Sequence, residues 1–205
     1  MTCHRRLIVF VIAVAIGLVV ALPGAHAAGP AITGTVKATG LSSNADAVVF
    51  VVQAPGTFKP PAEPMTMDQK QFQFIPHVMP VVLGTVVKFL NSDPTPHNVF
   101  SPDFEKYNLG TWPQGQTKDR PFAACAKFPC VYTQLCRVHP EMEGFVVVVQ
   151  NPYFGVTDKA GHFAIDGVPP GSYTLAVWHP KLKAQPKPVI VEAGKPATVD
   201  FVLAR

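Results

Sequence analysis

Apolar and polar positions along most of this chain alternate over short distances, and the breaks between them are rich in Pro, Gly, Asn and Asp. Residues 32–38 and 47–52 read as two short strands about a polar turn holding Gly40, Ser42, Ser43 and Asn44. Residues 54–64 carry four prolines and a glycine and break the pattern as a linker would. The alternation in Gln71-Phe72-Gln73-Phe74-Ile75 predicts a half-buried strand, and residues 81–90 predict another around Gly84. A polar loop, Asn91-Ser92-Asp93-Pro94-Thr95-Pro96, leads to a strand start at His97-Asn98-Val99-Phe100, and residues 101–120 read as turn-rich. Residues 131–135 predict a strand entering Cys136, and 144–149 a strand leaving the loop behind it. From Asn151 onward, turns and strands recur at the spacing of a small sandwich, with residues 189–192 and 197–203 closing it about Gly194.

No stretch beyond the first residues sustains a 3.6-residue period, and 22 prolines with 15 glycines disfavour helices. The expected fold is all-β. The first residues differ from the rest: Arg5 and Arg6 precede an uncharged apolar run over residues 7–22, followed by Pro23, Gly24 and Ala25-His26-Ala27. That order is the pattern of an export signal cleaved after Ala27. The competing reading, an uncleaved anchor, has only 16 apolar residues against the roughly 20 needed to span a bilayer. A periplasmic or secreted chain without stable membrane insertion is the expectation.

Of 17 Lys and Arg, two leave with residues 1–27, so 15 remain against 13 Asp and Glu. That balance gives no basic patch of the kind nucleic acid requires. Cys3 also leaves, and Cys125, Cys130 and Cys136 are an odd set for an oxidising compartment. Cys125 and Cys130 are the candidates for a disulfide, with two free thiols as the alternative, and Cys136 is left for another task.

That task is suggested by Cys136-Arg137-Val138-His139-Pro140-Glu141-Met142, which sets a thiolate, an imidazole and a thioether three residues apart on one loop. Two His and one Cys with a weak axial Met is the donor set of an electron-transfer copper site. His97, at the end of a proline-stiffened loop, is the candidate fourth donor. The soft thioether of Met142 suits copper and is not a usual zinc ligand, and no Cys-x-x-Cys-His run exists to hold haem. The expected metal set is therefore His97, Cys136, His139 and Met142 around one type 1 copper. His77, between Pro76 and Pro80, has three readings: a metal ligand, a residue behind the ligands, or a loop histidine bonded elsewhere. Pro96, Phe100, Pro140 and Phe145 are candidates to shield the metal and to form a partner patch. Taken singly, His97 reads as a bonded loop histidine, Met142 as core and Cys136 as a buried thiol; their joint order points to metal.

At Asn91-Ser92-Asp93, Pro96-His97-Asn98-Val99 and Cys136-x-x-His139-x-x-Met142-x-Gly144 the chain resembles the cupredoxins, amicyanin and its plastocyanin-like relatives among them. The resemblance spans residues 65–150 and implies a Greek-key β-sandwich that passes single electrons between redox partners, a cytochrome c or a dehydrogenase such as amicyanin's. Similar chains are described as methylamine-utilisation proteins. The segment 122–130, with its two cysteines, departs from a minimal amicyanin.

The remainder resembles a carboxypeptidase regulatory-like, transthyretin-type sandwich at Thr157-Asp158-x-x-Gly161-x-Phe163, Pro170-Gly171-x-Tyr173-x-Leu175 and Val177. The strands that should precede that pattern stand far upstream, as Gly34-Thr35-Val36 and Ala47-Val48-Val49. The expectation is a discontinuous sandwich of residues 29–55 and 151–205, a linker at 56–64, and a cupredoxin domain at 65–150 inserted into it. The alternative is one enlarged cupredoxin with a sandwich behind it. The expected function is a one-electron carrier and not an enzyme, because the five histidines left after residue 27 are too few for a further copper cluster. Copper delivery through Met65, Met67 and His77, and a structural or adhesive sandwich without metal, are the alternatives.

Overall fold

The structure, a computed structural model, describes residues 32–205; the expected export signal at 1–27 and Cys3 lie outside the described residues. The described chain is all-β, with 17 strands and no helix. None of its segments is a helix long and apolar enough to cross a membrane.

Two sandwiches are built from four sheets. In the first, β1 (Ile32–Ala38) pairs antiparallel with β13 (His162–Ile165) and parallel with both β16 (Ala197–Thr198) and β17 (Phe201–Leu203). The facing sheet runs β12 (Phe154–Val156), β2 (Val48–Val51), β14 (Gly171–Trp178), β15 (Lys187–Val191). Ile32, Val36, Val49, Val51, Ile165, Leu175 and Leu203 fill the space between them. The first two strands of the described chain thus share their sheets with its last six.

The second sandwich holds the strands in between. One sheet is ordered β5 (Val78–Val82), β11 (Glu143–Val149), β10 (Cys130–Leu135), β7 (His97–Ser101), β8 (Tyr107–Trp112). The other is ordered β4 (Gln73–Ile75), β3 (Met65–Lys70), β6 (Val86–Asn91), β9 (Thr117–Pro121). Met67, Phe74, Phe89, Val99, Trp112, Tyr132, Val146 and Val148 form its core. A bond between Cys125 and Cys130 closes the loop ahead of β10.

A third cluster joins the sandwiches: Val48 and Phe50 of β2 meet Val78 of β5 and Phe145, Val147 and Val149 of β11. Alternate residues of β11 therefore serve different cores, Val146 and Val148 on one side, Phe145 and Val147 on the other. A strand covered on both faces has no solvent side on which to place polar residues. This is why Val48-Val49-Phe50-Val51 and Phe145-Val146-Val147-Val148-Val149 are unbroken apolar runs.

Several elements differ from the sequence expectations. Gln71 and Phe72 are not in a strand; they form the turn between β3 and β4, both with positive φ, 55° and 57°. Residues 81–90 are the ends of two strands, β5 and β6, turned about Gly84 at φ 91°. The turn-rich segment 101–120 holds β8 and most of β9. Both are sheet edges, and β9 is almost wholly exposed, as Thr-Lys-Asp-Arg-Pro. Edge strands carry charge to discourage pairing with other chains and so lose the apolar period by which strands are read. Pro80 lies inside β5, an edge strand, where a missing N–H is tolerated.

Gly144, part of the motif behind the ligand loop, lies under Phe74: a Cβ there would sit 2.6 Å from Phe74 Cβ. Phe74 is 1% exposed and has nowhere to retreat. Gly144→Ala is expected to destabilise the protein by about 1–3 kcal/mol, read as a lower urea midpoint with an unchanged slope.

His77 Nδ1 lies 2.8 Å from Asp46 Oδ2, across the junction of the two sandwiches. The bond to Asp46 raises the His77 pKa above its ordinary value despite partial burial, and the same bond lowers that of Asp46. Stability from the raised His77 is present below about pH 6.5 and lost as pH climbs through its folded value; the Asp46 part is lost only as pH falls through that group's lowered value. The gap in thermal midpoint between wild type and His77→Gln is expected to be widest near about pH 5.5 and to close towards about pH 8.5. A gap that stays constant over that range would contradict the assignment.

Candidate metal centre

The loop after β6 is wound around a buried amide. Asn91, with no exposed surface, donates through Nδ2 to the carbonyls of Thr95 (2.9 Å) and Trp112 (3.0 Å), and its Oδ1 accepts from Asp93 N at 2.9 Å. Pro94 and Pro96 restrict the backbone further, so the chain enters β7 with His97 aimed into the sandwich. His97 is fully buried and pairs across the sheet with Trp112.

On the other side, β10 ends at Leu135 and the chain turns through Cys136 to Met142 before β11 begins. Met142 N donates to His139 O at 3.0 Å, closing the turn. Cys136 is the free cysteine among the described residues and is buried. Met142 is 1% exposed and shares a core cluster with Cys136.

These two loops bring three donor atoms together. His97 Nδ1 and His139 Nδ1 are 2.9 Å apart, and Cys136 Sγ lies 3.8 Å from the first and 3.7 Å from the second. His97, Cys136 and His139 form the group of potential ligands that converges among the described residues. A point equidistant from the three atoms lies about 2 Å from each, the length of a metal–imidazole bond. Two ring nitrogens so close repel unless a proton or a cation lies between them, so the residues present fit a bound metal.

The orientation of His97 is set from behind. Its Nε2 lies 2.8 Å from Asp93 Oδ2. Burial works against ionisation of Asp93, but N–H bonds from Phe72 (3.0 Å) and Gln71 (2.7 Å), together with His97, hold its carboxyl below the usual range. An ionised carboxylate only accepts, so the imidazole proton belongs on Nε2 and the Nδ1 lone pair faces Cys136 and His139.

Asn98 ties the two ligand loops to β8. Its backbone N–H points at Cys136 Sγ (3.4 Å), its Nδ2 donates to Asn108 Oδ1 (2.8 Å) and Gly110 O (2.6 Å), and its Oδ1 accepts from Arg137 N (3.4 Å).

His77 stands apart from the three donors, bonded to Asp46. Met67 is buried in the core. Phe145, expected beside the metal, turns towards the other sandwich instead, with its ring 5.3 Å from Trp178; it sits one strand position from Val146, and adjacent strand residues face opposite ways. The sequence reading assigned no role to Asp93, Asn98 or Phe72. The signal for Asp93 was its place four residues before His97 on a stiff loop; Phe72 carried none.

Asn98→Ala removes the side-chain bonds to Asn108, Gly110 and Arg137, and with them the tie between the two loops and β8. A loss of about 1–3 kcal/mol in the urea unfolding of the metal-free protein is expected, with a destabilisation near zero as the contrary result.

Residues 141–204 match the family model of the carboxypeptidase regulatory-like domain. The matched range begins within the ligand loop and takes in β11, whose partners are β5 and β10. No curated protein sequence matches the chain. Among solved structures, a purple cupredoxin from Nitrosopumilus maritimus is similar at 23% identity over 41% of this chain and 98% of its own, with a TM-score of 0.37. An oxidized amicyanin variant is similar at 22% identity over 42% of this chain and 81% of its own, with a TM-score of 0.38. A copper-containing nitrite reductase from Thermus scotoductus is similar at 21% identity over 56% of this chain and 28% of its own, with a TM-score of 0.40.

Proposed function

We propose that this chain is an exported carrier of single electrons built on one type 1 copper, with His97, Cys136 and His139 as the strong donors and Met142 as the weak axial one. The observation that carries the proposal is the convergence of His97 Nδ1, Cys136 Sγ and His139 Nδ1 within 3.8 Å of one another. Two imidazoles, one thiolate and a buried thioether form the donor set of electron-transfer copper. Copper bound there would supply a one-electron couple.

The remaining work is done by the chain. Asp93 keeps the His97 ring from turning, Asn98 N–H disperses charge on the Cys136 thiolate, and Asn91 holds the loop that delivers His97. Ligands fixed in this way change little between oxidation states, which is what rapid electron exchange requires. In the same reading the carrier works in the periplasm after loss of residues 1–27 and exchanges electrons with protein partners, a cytochrome c or a dehydrogenase among them. Residues 65–150 are read as a unit inserted into a sandwich made of 29–55 and 151–205; the pairing of β1 and β2 with strands after residue 151 supports it.

A carrier is favoured over an enzyme because the other described histidines are engaged elsewhere: His77 with Asp46, His162 with Asp158, and His179 through the N–H of Lys181. Copper delivery is disfavoured because Met67 has no exposed surface, whereas handover needs accessible, labile ligands.

Adding one equivalent of Cu(II) to residues 28–205 is expected to produce an intense thiolate-to-copper absorption with matching electron paramagnetic resonance, both lost in Cys136→Ser. A wild type without that band would sink the carrier reading and leave delivery or a metal-free structural role ahead.

A further inference from the structure

We infer that Phe72 is an aromatic cover on the imidazole side of the metal centre, and that Asp93 is the positioning residue that holds both this cover and His97. The consequence for metal chemistry rests on the copper reading above; the geometry of the cover does not.

Phe72 is one of nine large apolar residues left exposed among the described residues, at 46% of its surface. Its ring lies edge-on to His139, centroids 4.9 Å apart at 77°, and to His97, 5.8 Å apart at 80°. His97 has no exposed surface, and the half-exposed Phe72 ring lies against both imidazoles.

The backbone shows that this placement is imposed. Gln71 and Phe72 make the two-residue turn from β3 to β4 with φ of 55° and 57°. Such turns take Asn-Gly, and a bulky aromatic residue with positive φ is costly. Something must hold it there, and Asp93 does: Oδ1 accepts from Gln71 N at 2.7 Å and Oδ2 from Phe72 N at 3.0 Å. The same Oδ2 receives His97 Nε2 at 2.8 Å. One carboxylate therefore sets a ligand and its cover in register. Strain retained at a turn that folding alone would fill with glycine points to a task for the side chain. An electron can cross an aromatic contact, whereas a small anion needs space beside the ligands. Phe72 denies that space, which makes it a determinant of what reaches the metal.

The test compares wild type, the paired change Gln71→Asn with Phe72→Gly, and Phe72→Trp. Asn-Gly suits the turn, so the hairpin persists without the cover, and tryptophan restores a cover. In the metal-free full chain, alkylation of Cys136 by iodoacetamide, followed by peptide mass mapping, is expected to quicken on the order of tenfold in the paired variant and to stay at the wild-type rate in Phe72→Trp. In the copper-loaded proteins, azide is expected to alter the electron paramagnetic resonance spectrum of the paired variant and leave the other two unchanged. Equal alkylation rates in wild type and the paired variant would overturn the cover. A wild type without a thiolate-to-copper band would instead count against the copper reading, and the alkylation rates would still decide the cover.

Discussion

The strand that leaves the ligand loop is buried on both faces, and most of the architecture depends on that constraint. β11 pairs with β5 and β10 at its edges, gives Val146 and Val148 to one core, and gives Phe145, Val147 and Val149 to the seam with the other sandwich. Burial of this kind contributes on the order of 1.5–3 kcal/mol for each fully covered large apolar side chain. It also leaves the strand no freedom to slip, since a shift by one residue would exchange its two apolar sets and draw Glu143 inwards. The loop from Cys136 to Met142 is thereby anchored at its far end by a strand buried on both faces.

At its near end the loop meets a polar network of a different kind. Asn91, Asp93 and Asn98 are buried, and the amides and carboxylate are spent mostly on backbone groups, with His97 and Asn108 as the side-chain partners. Such networks rigidify when every member is satisfied. Here they convert two loops, which would ordinarily be mobile, into a frame that places two ring nitrogens and a sulfur within bonding distance of one point. The apolar seam supplies the stability and the amide network supplies the aim.

The first sandwich, built on β1 and β2, contributes no donor to the converging group among the described residues. Its role in the geometry is to cover the outer face of β11 and β5, and across the junction its Asp46 bonds His77. A histidine flanked by prolines and close in sequence to a core strand was a fair candidate ligand. The partner it finds in the fold is Asp46 of the β1–β2 turn, about thirty residues away along the chain.

How much was legible beforehand follows from which interactions are local. The spacing of Cys136, His139 and Met142 was readable because one short loop carries all three, and His97 because a proline-rich segment delivers it. The all-β class was readable from turns and short apolar runs, and the doubly buried strands from their lack of alternation. The edge strand β9 was hidden because its charged, exposed residues carry no apolar period, and β8 because Gly110 and Thr111 interrupt its alternation. The turn at Gln71 and Phe72 was mistaken for strand because its alternation is real, while its backbone conformation is imposed by a carboxylate twenty-one and twenty-two residues away. The sequence by itself thus determined the candidate donor set and the strand-rich class, which depend on residue chemistry and near neighbours. The tertiary structure alone decided which side chains face those donors, because hydrogen bonds and ring contacts between distant segments leave no period in the chain.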